Sequence, residues 1–135
     1  MNSNIILVVL GEPNSIFSEI LFKYFKSKEF KKNNSRIILI GNKELLKKQM
    51  NQLNYKLHLN EIFEIKEAIK KKINIINIQY NFKKTFSKIS SSSNQYIENC
   101  FDKAIKLIKN HNLRSLINGP ISKTHFLKKK ISWYN

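Results

Sequence analysis

Glycine, proline, cysteine and acid are all scarce in this chain, and each shortage narrows what it can be. Three glycines leave no room for a glycine-rich phosphate loop, and neither GxGxxG nor GxxxxGKS occurs. Cys100 is the single cysteine, so no internal disulfide or CxxC pair exists, which fits a reducing compartment. With nine acidic residues, a nucleophile-base-acid constellation is not to be found. His58, His111 and His125 show no HExxH or other zinc-type spacing, so each reads as a solvated or incidental histidine. No run of eighteen apolar residues occurs, and the short apolar stretch 5–10 lacks a basic flank and a small-residue cleavage site. The expectation is a protein of the cytoplasm with no membrane association.

What is abundant is lysine, isoleucine and asparagine, which together make 62 of the 135 residues. All three have A/T-rich codons, so a genome-wide codon bias accounts for much of the formal charge of +16. A charge that high would favour nucleic acid or another anionic surface if it converged on one face. The pairs and triplets Lys31-Lys32, Lys47-Lys48, Lys70 to Lys72, Lys83-Lys84 and Lys128 to Lys130 instead fall in segments expected on different sides, as solvated charge runs usually do. The length and a hydrophobic fraction of 41% suit one domain, 1–135, around a single core.

Apolar runs alternate with amphipathic stretches. IILVVL (5–10), RIILI (36–40) and INIINI (73–78) read as strands covered on both faces. After the first, Ile16, Ile20, Leu21 and Tyr24 recur at helical spacing behind Asn14 or Ser15 as a cap. After the second, Asn42 is placed to cap a helix reaching about Leu53, with Leu45, Leu46 and Met50 as its apolar face. Residues 57–65 alternate weakly and suggest a further strand, and 66–72 a helical turn. The serine-rich 81–93 reads as a surface connection leading, through the candidate caps Ser90 to Ser93, into a long helix ending near Asn112. Its inner stripe is Ile97, Cys100, Phe101, Ala104 and Ile108, which makes Cys100 a core residue rather than a reactive thiol. Residues 113–118 supply a last strand, and Ser122 is a candidate cap for a terminal helix. The grammar is that of an α/β domain with a mostly parallel sheet flanked by helices.

Ligands of such sheets settle at the carboxyl ends of the strands. Two strand-to-helix turns are candidates there: Gly11, Glu12 and Pro13, and Gly119, Pro120, Ser122 and Lys123. A lysine just past a Gly-Pro turn can reach a phosphate as a point charge, with Ser122 adding a hydroxyl donor, although Gly-Pro also marks ordinary turns with a surface lysine.

These residues carry a resemblance. VVLGEPNSIFSEI is similar to the opening signature of the 4-hydroxythreonine-4-phosphate dehydrogenase family, with Gly11, Glu12, Pro13, Ile16 and Glu19 as the matches. LIGNKELL resembles the family's second strand and helix start, KISSSSNQYIENCFDKAIKLI the segment before the next strand, and INGPISK its Gly/Ala-Pro-Ile-x-Lys motif. The four segments keep the family's order over nearly the whole chain. Two departures are Phe17 and Ser18 in place of a Gly-Pro pair, and Ser93-Asn94 in place of a glycine. The resemblance implies the N-terminal part of an isocitrate/isopropylmalate dehydrogenase-like fold. It also implies an NAD-dependent oxidoreductase of pyridoxine and pyridoxal phosphate biosynthesis that uses a divalent metal (Zn, Mg or Co) as a Lewis acid.

In the family, the Gly-His-Thr-Glu substrate loop, the metal histidines and the nicotinamide domain follow the region matching this chain. The expectation is therefore a segment with no metal or cofactor ligands of its own, inactive alone, acting on a phosphorylated small molecule as a homodimer or with a complementary C-terminal chain. The rival expectation is a small basic module that binds single-stranded nucleic acid through Phe82-Lys83-Lys84 and residues 126–130, the less favoured of the two.

Overall fold

The structure is a computed structural model and describes residues 4–121. Five strands form one fully parallel sheet: β1 (Ile5–Val9), β2 (Arg36–Gly41), β3 (Leu59–Glu61), β4 (Ile73–Asn77) and β5 (Ser115–Asn118). Their order is β3-β4-β2-β1-β5. The helices are α1 (Phe17–Phe25), α2 (Lys28–Lys32), α3 (Lys43–Gln52) and α4 (Asn94–His111).

Side-chain alternation along the inner strands divides the apolar residues between two layers. Leu7, Val9, Ile38, Ile40 and Ile76 face α4, meeting Ile97, Cys100, Ala104 and Leu107. Val8, Leu39 and Ile75 face the other way, onto Phe22 and Phe25 of α1, Phe30 of α2, and Leu46 and Met50 of α3. Because both faces are covered, the strands carry unbroken aliphatic runs rather than a polar alternation.

Long-range side-chain hydrogen bonds consolidate the sheet. Asn74, fully buried in β4, donates to the Ile37 and Ile69 carbonyls at 2.9 and 3.0 Å and accepts from Asn60 Nδ2 at 2.9 Å. It thereby ties β2, β3 and the preceding loop to one side chain, and its polarity costs little because its bonds are made.

Some sequence expectations need correction. The α1 face is Phe22 and Phe25, with Leu21 and Tyr24 half-buried, whereas Ile16 and Ile20 are exposed. The stretch IFSEILFKYF is apolar almost all round, so periodicity alone does not choose a face; packing against α2 and α3 does. No side chain caps α1 at its N-cap, Ile16; Ser15 Oγ instead accepts from Phe17 N at 3.2 Å. The strand expected over 57–65 shrinks to Leu59–Glu61, and the helical turn over 66–72 appears as a 3₁₀ turn at Ile65–Glu67. The expected terminal helix lies outside the described residues.

Candidate functional site

The strand order reverses between β1 and β5. From β1 the chain runs outward through β2 to the β3 and β4 flank, then crosses under α4 and returns to the opposite side of β1 as β5. Such a switch point opens the carboxyl ends of β1 and β5, the usual ligand position in open α/β sheets. Both candidate turns stand there.

They are joined backbone to backbone. Gly119 N donates to Val9 O at 2.8 Å, continuing the ladder, and Glu12 N donates to Pro120 O at 2.9 Å across the turns. Gly11 takes a φ of +75°, and a Cβ on it would lie 2.7 Å from Pro120 O. A Cβ on Gly119 would meet the Leu10 carbonyl oxygen and come within 2.5 Å of the Phe17 ring. The Gly-Glu-Pro and Gly-Pro letters therefore record one close approach between two loops far apart in sequence.

Glu12 is turned inward and 3% exposed. Its carboxylate accepts from Ser93 Oγ at 3.1 Å and from Asn14 N at 3.2 Å. It so binds the β1–α1 turn to the start of α4, where a negative charge is also favoured by the helix dipole. Pro13 O accepts from Gln49 Nε2 of α3 at 2.9 Å, and Asn14 Oδ1 accepts from Ser87 N at 2.9 Å. Four segments thus converge on residues 12–14. Glu12 holds the β1–α1 turn against the start of α4. Ser122 and Lys123, the other expected members, lie outside the described residues.

The sequence reading missed the support beneath the rim. Asn42 does cap α3, accepting from Leu45 N at 2.9 Å, but its Nδ2 also donates to Ile78 O at 2.9 Å and its N–H to Tyr96 Oη at 2.8 Å. Tyr96 stacks on Tyr80 with centroids 4.3 Å apart, and Tyr80 on Phe82 at 5.9 Å. Lys48 Nζ lies 5.2 Å from the Phe82 centroid. Burial pushes the Tyr96 hydroxyl well above its ordinary range; burial, then the Glu12 charge, raises Tyr80. Cys100, next along α4, is fully buried, and desolvation pushes its thiol up to about 12, so it is an inert core thiol as expected. The only signal for this column in the sequence was three aromatics at 80, 82 and 96, and nothing local says that they meet.

The donor set on the described residues does not suit a divalent metal. No group of three or more His, Cys, Asp or Glu side chains comes together among them, and the carboxylate at the crevice, Glu12, is committed to Ser93 and the Asn14 N–H. Nor does Phe82 offer a free stacking platform for a base, since Lys48 and Tyr80 both lie against its ring. No described helix is long and apolar enough to cross a membrane.

A parallel sheet covered by helices on both faces, with its strand order reversing at β1/β5, defines the class as an open α/β fold. The chain belongs to the pyridoxal phosphate biosynthetic protein PdxA family, whose model matches residues 33–135. Its fold is similar to that of a 4-hydroxythreonine-4-phosphate dehydrogenase from Burkholderia phymatum, with a TM-score of 0.78 and 15% identity over 91% of this chain and 38% of that one. The same enzyme from Klebsiella pneumoniae has a TM-score of 0.71 and 17% identity over 91% of this chain and 39% of that one. A terephthalate 1,2-cis-dihydrodiol dehydrogenase from Burkholderia xenovorans has a TM-score of 0.65 and 15% identity over 91% and 36%. The chain therefore spans less than two fifths of the length of each of these three. No curated protein matches it.

Proposed function

We propose that this chain supplies the N-terminal part of a 4-hydroxythreonine-4-phosphate dehydrogenase, an NAD- and divalent-metal-dependent oxidoreductase of pyridoxal phosphate biosynthesis in the cytoplasm. The observation that carries the reading is the 2.9 Å bond from Glu12 N to Pro120 O, which brings both family turns to one crevice at the switch point. In this reading Gly11, Pro13, Gly119 and Pro120 form the crevice wall, Glu12 positions it, and Ser122 and Lys123 are the residues that the family motif assigns to the substrate phosphate. When bound, the metal would polarise the substrate oxygen as a Lewis acid and NAD would accept the hydride. Neither group is assigned to a residue here. Both would be held by a complementary C-terminal chain or segment, within a homodimer, so that this chain is inactive alone.

The test is co-expression with the remaining three fifths of the Klebsiella pneumoniae enzyme, followed by NAD reduction on 4-hydroxythreonine 4-phosphate. Activity is expected only with both pieces present. NADH formation by the isolated chain would refute the division of labour. A stable complex of the two pieces that never reduces NAD would refute the dehydrogenase reading.

A further inference from the structure

Helix α1 and strand β5 carry more apolar surface than the described residues cover. Around α1, Phe22 and Phe25 face inward, Glu19 and Lys23 pair along a second side, and Phe17, Ile20, Leu21 and Tyr24 recur at i, i+3, i+4 and i+7 on a third. Ile20, on that third stripe, is 53% exposed. Ile117 of β5 stands in register with Val8, hence on the α1 face of the sheet, and is 51% exposed. Between stripe and strand lies an open groove of about 390 Å³, bordered also by Ile6 and Val8 of β1. No charged side chain lines it, although 25% of the chain is charged. β5 pairs with β1 on one flank, and no described strand pairs on the other. A continuous uncharged face of this kind marks a contact surface.

Three observations say what covers it. The chain spans 38% and 39% of the two 4-hydroxythreonine-4-phosphate dehydrogenases described above, so about three fifths of such an enzyme has to be placed around this domain. A second copy suits the groove poorly, because each copy brings a formal charge of +16. The groove also ends at the carboxyl rim, where the Phe17 ring lies against Gly119, so a segment seated along α1 ends beside the Gly11 and Pro120 turns.

We propose that this groove is the docking surface for the complementary C-terminal part of the enzyme, filled by an amphipathic helix that lies beside α1 and buries Ile20 and Ile117. A helix suits the position because this layer of the sheet is already built of helices, whose axes pack about 8–10 Å apart. The inference rests on the proposed function and adds to it the surface on which the two parts join.

The test mixes the chain with the C-terminal three fifths of the Klebsiella pneumoniae enzyme and reads affinity by calorimetry and contact by isoleucine methyl resonances. Shifts are expected at Ile20 and Ile117 and not at Ile69, which is exposed in the loop before β4. I20K/I117K is expected to weaken the complex by about a hundredfold or more, because it sets two charges into an apolar contact. F63K/I69K makes the same change at two exposed residues beyond β3 and is expected to leave the affinity within about twofold. The isolated I20K/I117K chain should melt within about 2 °C of the wild type, as exposed substitutions do.

Wild-type affinity in I20K/I117K, or equal losses in the two double variants, would overturn the docking surface and leave the proposed function standing. A wild-type complex that I20K/I117K abolishes but that never reduces NAD would uphold the surface and overturn the dehydrogenase reading. No complex with the wild type would overturn both. A clear drop in the melting temperature of isolated I20K/I117K would assign the groove to the chain's own residues 122–135 and overturn the proposal. So would a wild-type dimer in sedimentation that I20K/I117K abolishes, since it would assign the groove to a second copy.

Discussion

Gly11→Ala is the sharpest test of the claim that two distant turns close one crevice. The new methyl would lie 2.7 Å from Pro120 O and 2.9 Å from both Gly119 C and Gly119 O. All three atoms are backbone, so no rotamer change relieves the contact. The φ of +75° adds the cost of a left-handed L-residue, about 1–2 kcal/mol. Overpacking against fixed atoms adds about 1–3 kcal/mol, giving a loss of about 2–5 kcal/mol in all. A domain of this size is stable by about 5–15 kcal/mol, so the variant should remain folded but melt on the order of 10 °C lower.

The damage should also be local. The Gly119 amide, bonded to Val9 O, and the Glu12 amide, bonded to Pro120 O, should lose hydrogen-exchange protection before the amides of β2 and β4. Urea unfolding and exchange measured on the same samples give both numbers. A variant within about 0.5 kcal/mol of the wild type, the range of an ordinary surface change, would refute the reasoning. So would a large loss spread evenly over the sheet, because it would place the strain somewhere other than the junction of β1 and β5.

Two further predictions concern the support beneath the rim. Glu12→Ala strands the Ser93 hydroxyl and the Asn14 N–H and should cost about 2–3 kcal/mol by urea midpoint, while Glu12→Gln, which keeps an acceptor oxygen, should cost less than half as much. Equal costs would mean that the charge, not the bonds, holds the turn. In alkaline solution Cys100 should make the fold pH-sensitive. An unfolded thiol loses its proton near the ordinary value of 9.0, whereas the folded one, pushed up to about 12, retains it. Its contribution is whole below pH 9 and is lost as pH rises through 12. The stability difference between wild type and Cys100→Ala should therefore shrink across that window, and a constant difference would count against the burial argument.

Much of this architecture is written locally. IILVV, RIILIG and INIIN are long enough and apolar enough to be inner strands whatever surrounds them, and Asn42 and the Ile97, Cys100, Ala104 stripe mark α3 and the inner face of α4. Local pattern failed where it was ambiguous. α1 carries apolar residues around most of its circumference, with Glu19 and Lys23 on one side, and β3 is only three residues long. The motif letters identified both turns but not the inward aim of Glu12, which depends on Ser93 arriving from 81 residues away.

Chain order and hydropathy therefore decided which segments become strands and helices, because those choices depend on neighbours a few residues distant and on their dislike of water. Which strands lie side by side, that β5 returns next to β1, and that Gly11 meets Pro120 were decided only in three dimensions. These contacts join segments about a hundred residues apart, and they exist only once helices on both faces have fixed the sheet order and left a crevice at its reversal.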